Sequence, residues 1–269
     1  MCPHCRAFIT TDDKVCPYCQ TQVGGRAVDR RSPSDLLGGL IPAARFTTSI
    51  ILLVNFGLYI ACAIVSMQSG NPSPLDLDGQ TTIRFGASAR SLSFQGEWWR
   101  LITAGFLHGG VFHILMNSWV LFDLGAQVEE IFGSRRMIVI YISSSIIGFI
   151  ASGIYSRHQS VGASAGIFGL IGAMIALGVQ SQSTMGDAIK SHYLRWAVYG
   201  LLMGLLFPMT DNAAHIGGLA GGFGCAWIAG TPRLFDDWRE KIWGILAGCA
   251  VALTAYSFLR MFLQYNRIG

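Results

Sequence analysis

The chain has 269 residues, of which 52% are hydrophobic and only 13% are charged. Soluble domains carry about 25% charged residues, so this composition excludes an ordinary soluble protein and indicates long membrane-spanning helices. The formal net charge of +4 comes from lysines and arginines beside the apolar stretches, and it requires no nucleic-acid partner.

Two C-x-x-C motifs, "CPHC" and "CPYC", open the chain and are separated by ten residues. Four thiolates suit tetrahedral zinc, and so short a segment would take its folding free energy from the metal. A pair of disulfides is the competing interpretation, which a cytoplasmic location disfavours because thiols stay reduced there. We predict a zinc-ribbon-like module at residues 1–22, with a regulatory, recruiting or stabilising role, whose ligands are Cys2, Cys5, Cys16 and Cys19.

Residues 23–45 are expected to form a linker, and seven long apolar segments follow it. Each segment is a candidate membrane-spanning helix. The fifth is short, at roughly 15 residues against about 20 for a full span, and is expected to extend back toward His192. The segments are 46–67, 111–128, 137–155, 162–179, 196–210, 212–230 and 242–259.

The distribution of basic residues predicts the orientation of these segments. With the N-terminus in the cytoplasm, the inside segments hold 13 of the 19 lysines and arginines and the outside segments hold six. Positive residues favour the inside, so we expect a cytoplasmic N-terminus. The first residues lack a secretory signal pattern, and the first apolar segment is therefore expected to target the chain to the membrane.

Polar side chains at membrane depth are costly and are functional candidates for that reason. In the second, fourth and sixth segments, or beside them, lie His108, His113, Asn117, Asp123, Ser164, Asp211, Asn212 and His215. In this orientation all three segments begin outside. At 1.5 Å per residue, Ser164 and His215 lie roughly 5 Å below the outer edge. His113 and Asn117 share one helix face near the same level, because they are four residues apart.

Small residues favour close contact between these segments. Gly217 and Gly221, and likewise Gly218 and Gly222, have the G-x-x-x-G spacing that lets helix backbones approach. The serine hydroxyl and the imidazole would then come within hydrogen-bond reach. Histidine would accept the serine proton, and a helix-start N–H with His113 and Asn117 would hold an oxyanion.

Other interpretations of the same residues remain open. A single serine in a small-residue helix usually packs or bonds to its own backbone, and a single membrane histidine often serves a pore, a proton path or a structural bond. Asp123 lies ten residues after His113, so about 15 Å deeper in the membrane, which is too far to orient His215. Asp211 lies one turn above His215 and is possible as a third member, although we favour a dyad.

Three motifs, "EWWRLITAGFLHGGVFHILMN", "GASAGIFGL" and "AHIGGLAGG", together resemble those of rhomboid intramembrane serine proteases in order and spacing. The resemblance covers most of residues 46–230. It implies Ser164 as nucleophile and His215 as base. It also implies an oxyanion site at His113 and Asn117, with His108, Phe168 and Gly162 lining the site, and Trp99 and Arg100 in a partly embedded loop. Ala165 departs from the glycine common after the serine, and we expect a modest effect.

The resemblance implies an all-α, polytopic helical membrane bundle. Residues 46–230 would form a six-span core, residues 231–241 a cytoplasmic loop, and residues 242–269 an additional C-terminal span and tail. The implied activity is hydrolysis of peptide bonds in or near the membrane segments of single-pass or other transmembrane proteins, with no catalytic cofactor. The expected location is the cell (inner) membrane, with the site opening to the extracytoplasmic side.

Three other functions compete with proteolysis by a serine. A catalytically inactive rhomboid-like scaffold or binding protein is the first, although such a protein should have lost the serine or the histidine. A transporter or channel is the second, but no inverted repeat is visible. A zinc protease is the third, and the H-E-x-x-H motif is absent from the sequence.

Overall fold

A computed structural model of the chain describes residues 15–21, 45–73, 75–156, 158–181, 183–207, 210–231 and 237–265. The chain divides into two units, Met1–Ala43 and Ala44–Gly269. Cys2, Cys5 and most of the predicted linker lie outside the described residues. The first unit is described only by the turn that carries Cys16 and Cys19, and the second unit is helical.

The second unit contains nine described α-helices. Loop residues between the first and fifth helices form three short helices and a 3-10 turn, Ala104–Phe106. Among the described residues of this unit, extended backbone pairing occurs as two isolated bridges, Asp76 with Gly110 and Ser88 with Ser160. In chain order the helices are α1 (Phe46–Gln68), α2 (Gly79–Arg84), α3 (Arg90–Ser93), α4 (Arg100–Thr103), α5 (Val111–Tyr155), α6 (Ser164–Gln180), α7 (Thr184–Leu206), α8 (Asn212–Ala229) and α9 (Asp237–Gln264).

Helix α5 is 45 residues long and is broken at Gly133. Gly133 has φ 76° and ψ 157°, a left-handed φ that glycine adopts without the steric cost other residues meet. The second and third predicted segments are the two arms of α5, 111–132 and 134–155. The other five predicted segments overlap α1, α6, α7, α8 and α9.

Three of the described helices are long and apolar enough to cross a membrane: Phe46–Gln68, Val111–Tyr155 and Trp238–Gln264. Helix α6 is apolar but has only 17 residues. These helices agree with a helical membrane bundle, and the count of seven spans stays a prediction.

Helix α7 begins at Thr184. The expected extension of the fifth apolar segment from residue 196 back toward His192 is therefore confirmed, and the helix starts further back still. The hydroxyl of Ser183 accepts a hydrogen bond from the Gly186 N–H at 3.0 Å and caps the helix. Lys190 pairs with Asp187 at 2.7 Å within the first turns. Hydropathy therefore underestimates this helix, because its first turns are charged.

Helix α6 lies at the centre and runs parallel to α8. A Cβ atom added to Gly218 would overlap the carbonyl oxygen of Ala165, and one added to Gly222 would overlap that of Gly169. One turn along α6, from Ala165 to Gly169, corresponds to one turn along α8, from Gly218 to Gly222. The two helices therefore run in the same direction and begin at the same end of the bundle. We call this end of the bundle the site end. The end where α6 and α8 finish is called the opposite end.

A buried carboxylate joins α1 to the break in α5. Glu129 is 3% exposed and accepts hydrogen bonds from the N–H groups of Thr47 at 2.8 Å and Thr48 at 3.0 Å. The Ser134 hydroxyl donates to the same carboxylate at 2.7 Å. The charge satisfies the first N–H groups of α1, which have no partner within their own helix.

The loop before α5 packs against the last helix, α9, at the site end. Arg100 is fully buried and donates hydrogen bonds to the carbonyl oxygens of Ile83 and Ala87. Trp98 stacks on Tyr256 of α9 with ring centroids 6.1 Å apart, and Phe106 meets Phe258 edge to face at 5.4 Å. The predicted extra span therefore packs against the loop as well as against α5.

Candidate active site

Ser164 is the first residue of α6 and lies at the site end. Gly162, two residues before it, has φ 134° and donates its N–H to the carbonyl of Ala104 at 2.9 Å. No side chain caps the start of α6. The first N–H groups of a helix lack acceptors inside it, so this start can bind a negative charge beside the serine hydroxyl.

His215 lies in the first turn of α8 and is 6% exposed. Its ring stacks on Phe168, with ring centroids 4.2 Å apart and planes 9° from parallel. Phe168 is four residues after Ser164, so both lie on one face of α6. Phe168 therefore places the imidazole against the face of α6 that carries the serine.

The side chain of Asn212 fixes the orientation of the imidazole. Its amide nitrogen donates to the carbonyl oxygen of Leu201 at 3.1 Å, which leaves its amide oxygen 3.2 Å from Nδ1 of His215. An amide oxygen only accepts, so Nδ1 carries the proton in this contact. The Nε2 atom of His215 then has a lone pair available to accept a proton.

Neither aspartate considered for a triad contacts the imidazole through its described hydrogen bonds. Asp211 accepts from the Ala214 N–H at 3.1 Å, as the cap of α8, and from the Ser152 hydroxyl. Asp123 accepts from the side-chain nitrogen of Gln127 at 2.9 Å. Asn212, to which sequence analysis assigned no role, occupies the position of an orienting group. The sequence did hold one signal for this role, because Asn212 precedes His215 by three residues and the two therefore share one helix face.

His113 and Ser164 both border Gly162. A Cβ on Gly162 would lie 2.7 Å from Nε2 of His113 and 3.5 Å from Oγ of Ser164. Any larger residue would push the imidazole away, besides adopting an unfavourable φ. The absence of a side chain at residue 162 thus lets the imidazole of His113 and the serine hydroxyl share one space.

Asn117 follows His113 by one turn on the same face of α5. Its amide nitrogen is buried and has no hydrogen-bond partner among the described residues. A buried donor without an acceptor costs about 1–3 kcal/mol. The cost is relieved when water or a substrate oxygen accepts from it, which suits a binding site.

His108 lies behind His113, with ring centroids 5.0 Å apart in an edge-to-face arrangement. It is 1% exposed, and neither ring nitrogen has a hydrogen-bond partner within the part of the chain described. Burial lowers the pKa of His108 well below its ordinary value, and the neighbouring His113 lowers it further. A neutral imidazole with unpaired nitrogens is suited to hold ordered water.

Ala165 packs where α5, α6 and α8 meet. Its Cβ lies 2.8 Å from the position that a Cβ on Gly148 would take, and the carbonyl oxygen of Ala214 lies 2.7 Å from that same position. The methyl group of Ala165 thus fills space that glycine at residue 148 leaves open. This packing accounts for alanine after the serine without moving Ser164.

Two cysteines of the predicted zinc module lie on one described turn. Cys16 donates its N–H to the Thr21 carbonyl and accepts from the Gln20 N–H, both at 2.9 Å. Gln20 has φ 57°, which closes the turn. Cys16 is fully buried, and Cys19 lies three residues later on the same turn. This geometry suits half of a four-cysteine site.

The chain is similar to many known proteins, including the following three. Rhomboid protease GluP of Bacillus subtilis is 38% identical over 154 residues, which are 57% of this chain and 30% of that protein. Rhomboid-like protease 2 of Toxoplasma gondii is 29% identical over 217 residues, which are 75% of this chain and 73% of that protein. Inactive RHOMBOID-like protein 8 of Arabidopsis thaliana is 32% identical over 158 residues, which are 57% of this chain and 45% of that protein.

The chain therefore spans less than a third of the length of GluP. The family described as Rhomboid domain matches residues 95–232. This range contains the last part of the loop before α5 and all of the residues named above around Ser164 and His215. This match covers more than half of the chain, and the chain belongs to the rhomboid family.

Proposed function

We propose that the protein is an intramembrane serine protease with a dyad of Ser164 and His215. The observation that carries this proposal is the placement of the His215 ring. Phe168 stacks on one face of the ring at 4.2 Å, and Asn212 binds Nδ1 at 3.2 Å. Both contacts leave the lone pair of Nε2 available to accept a proton, on a ring that stacks against the residue one turn after Ser164, and this supports His215 as the base.

The reaction is acyl transfer to the serine, followed by hydrolysis. Oγ of Ser164 attacks the peptide carbonyl while Nε2 of His215 takes its proton. The imidazolium then gives that proton to the leaving amine. Water then attacks the acyl group while the same nitrogen takes its proton, and the imidazolium returns that proton to Oγ as Ser164 is released.

The oxyanion of each tetrahedral intermediate requires donors near Ser164. The N–H groups at the uncapped start of α6, Nε2 of His113 when protonated there, and the amide of Asn117 supply them. Donors of this kind, fixed before the reaction, are worth about 10²–10³ in kcat each. Phe168 and Gly162 shape the site, and His108 holds water beside it.

The substrates in this proposal are single-pass or other transmembrane proteins within the lipid bilayer. A helical segment hides its carbonyl groups in its own hydrogen bonds, so cleavage requires local unwinding near the site end. The proposed setting is the cell (inner) membrane, with the N-terminus in the cytoplasm and the site end facing the extracytoplasmic side. Basic residues at the opposite end, such as Arg135 and Lys241, support this orientation.

A cleavage assay with a fluorescently labelled single-pass substrate in proteoliposomes tests the proposal. The unchanged protein should cut it, and Ser164→Ala and His215→Ala should each reduce cutting by more than about 10³-fold. Ser143→Ala is the matched control, because the Ser143 hydroxyl bonds the Ile140 carbonyl in its own helix and belongs to none of the groups proposed for catalysis. Thermal unfolding should show that all three variants remain folded.

An inactive rhomboid-like scaffold is the second candidate, and similarity to the inactive relative of Arabidopsis thaliana favours it. It predicts no cutting by the unchanged protein but retained binding of a membrane segment. Loss of cutting with a chelator, together with full activity of Ser164→Ala, would instead indicate metal catalysis.

We also propose that Cys2, Cys5, Cys16 and Cys19 bind a structural zinc ion that takes no part in catalysis. Support comes from the tight turn at Cys16 and from the spacing of the two motifs. Zinc would supply folding free energy to a segment too short for its own core. The purified full chain should contain one zinc per molecule, Cys16→Ser should lose it, and Cys225→Ser should keep it.

A further inference from the structure

One acidic side chain on the first arm of α5 takes no part in the proposed chemistry. Asp123 is exposed and lies ten residues after His113, which places it about 15 Å further along the helix than the level of the catalytic site. It lies within residues 111–128, the part of α5 expected to cross the membrane. An ionisable side chain at that depth is costly, so it requires a polar partner or a function.

A chain of hydrogen bonds connects Asp123 to α7. The amide nitrogen of Gln127 donates to the Asp123 carboxylate at 2.9 Å. The hydroxyl of Tyr193 on α7 donates to the amide oxygen of Gln127 at 2.8 Å. Asp123 and Gln127 are four residues apart and share one helix face. Both therefore lie on the side of α5 that faces α7.

Helix α7 runs antiparallel to α6 and ends at the site end. A Cβ on Gly186, near the start of α7, would meet the carbonyl region of α6 at Gly178, near its end. A Cβ on Gly200, further along α7, would meet Phe168 near the start of α6. The last turns of α7 therefore lie beside the same end of the bundle as Ser164.

The two helices are connected at one level and continue separately to the site end. Residues 113–127 of α5 and 193–206 of α7 each cover about 20 Å from that level to the site end. Both helices pack on α6, and their backbones come less close to each other. Within the described parts of these two stretches, the Tyr193 bond to Gln127 is the side-chain hydrogen bond that joins them. We call the space between residues 113–127 and 193–206 the α5–α7 cleft.

The Asp123 carboxylate keeps an acceptor that no described cation occupies. Arg45, at the start of the neighbouring α1, lies over the ring of Phe122 with Cζ 4.9 Å from its centroid. On α7, Arg195 is exposed. The ion pairs of the described residues do not include Asp123; they join Arg100 to Glu97, Arg136 to Glu240, and Lys190 to Asp187.

The remaining hydrogen-bonding groups of Asp123 and Gln127 complement an amide side chain. An ionised carboxylate only accepts, whereas the amide nitrogen of Gln127 has two hydrogens, of which one is used by Asp123. One acceptor and one donor are therefore available side by side. Asparagine and glutamine carry the matching donor and acceptor. A lysine would satisfy the carboxylate alone.

We propose that Asp123 and Gln127 recognise an asparagine or glutamine in the membrane segment of the substrate, held in the α5–α7 cleft. The inference rests on the proposed function, and it makes Asp123 a specificity residue. The depth of Asp123 sets the position of the amide. A helical substrate covers about 15 Å in ten residues. A substrate unwound over three residues covers about 10 Å of this distance in them, at ~3.3 Å each. The amide would therefore lie about six to ten residues from the cleaved bond, on its membrane side.

Cleavage of paired single-pass substrates in proteoliposomes tests the proposal. The two substrates are identical except for Asn or Leu, which is placed in turn at each position of the membrane segment. At the matching positions, kcat/KM should be about threefold to tenfold higher with Asn, the effect of one hydrogen bond between membrane helices. The gain should appear in KM, because the amide is bound equally before and during the reaction.

Three variants of the protein assign this preference to the carboxylate. Asp123→Leu should abolish the difference between the Asn and Leu substrates. Glu130→Gln removes a carboxylate of the same helix further toward the opposite end, and it should keep the difference. Tyr193→Phe removes the connection to α7 but leaves the carboxylate, so it should keep the difference as well.

Binding of the same substrates to Ser164→Ala, followed by fluorescence energy transfer, should show the same preference without cleavage. Absence of cleavage with a retained binding preference would therefore contradict the protease proposal alone. Equal binding and cleavage of both substrates at every position, or a preference that persists in Asp123→Leu, would overturn the recognition of an amide. Loss of the preference in Tyr193→Phe as complete as in Asp123→Leu would overturn it in favour of the helix connection. A stronger preference for Lys than for Asn would assign the carboxylate to a cation instead.

Discussion

Phe168 and His215 form a nearly parallel ring stack, with centroids 4.2 Å apart and planes 9° from parallel. The stack joins α6 to α8 one turn below Ser164. The outer edge of the Phe168 ring contacts α7, because a Cβ on Gly200 would lie 2.6 Å from the tip of that ring. The position of the imidazole therefore depends on a glycine of a third helix that contacts neither Ser164 nor His215 in the described contacts.

Gly200→Ala is expected to reduce peptide cleavage by roughly 10-fold to 100-fold, since a displacement of about 1 Å in a catalytic group can cost 10²-fold. The added methyl group would push Phe168, and the imidazole with it, away from Ser164. The measurement is kcat with a labelled membrane substrate. Gly224→Ala is the control, because nothing lies within 4 Å of its added Cβ. Equal activity in both variants would contradict the role of the stack.

Asn212→Ala is expected to lower kcat by about 100-fold and leave KM unchanged. The imidazole would lose the bond that fixes Nδ1 as the protonated nitrogen, while Asp211 would still cap α8. Gly204→Ala should have a similar effect, because its Cβ would overlap the Asn212 amide oxygen. A change in KM alone would assign Asn212 to substrate binding.

Gly162→Ala is expected to abolish cleavage. Alanine would be strained at φ 134°, and its methyl group would displace Nε2 of His113, 2.7 Å away. Gly70 has a similar φ of 95° with open space around it. Gly70→Ala should therefore lower the unfolding free energy by about 1–3 kcal/mol while activity persists. Loss of activity in both variants would show that backbone strain alone explains the result.

Glu129→Gln is expected to destabilise the fold without direct effect on the site. The carboxylate accepts from two N–H groups and two hydroxyls, and hydrogen bonds to a charged group contribute about 1.5–3 kcal/mol each. Thermal unfolding in detergent should show a clear loss. Combined with Thr48→Val, which removes the 3.0 Å bond from the Thr48 hydroxyl, the loss should be less than additive. Strict additivity would indicate that the two residues act separately.

Sequence patterns predicted the helices more completely than they predicted the contacts of the candidate site. Apolar runs predicted a helix for all seven segments, because burial in lipid or protein requires apolar faces on each. They missed the start of α7, where Asp187 and Lys190 lie. Depth counting along the helices placed Ser164 and His215 at one level, and the parallel packing of Ala165 on Gly218 agrees with this.

Contacts between distant parts of the chain lay beyond such patterns. The role of Asn212 depends on the Leu201 carbonyl, which fixes the direction of the amide. The role of Glu129 depends on the start of α1, more than 80 residues earlier in the chain. A polar side chain seen in sequence shows that a partner is needed, but the fold decides which partner it meets.

The ion pair between Arg136 and Glu240 sets a limit on shortening this protein. A version ending at residue 230 would retain every group proposed for catalysis, yet it would leave a guanidinium without its carboxylate. Arg136 lies 2.8 Å from the Glu240 carboxylate, and the two side chains are 3% and 28% exposed. Breaking one side of a buried pair costs up to about 3–5 kcal/mol. A version shortened to residue 230 would therefore need a neutral residue at position 136, and both changes should be made in the same variant.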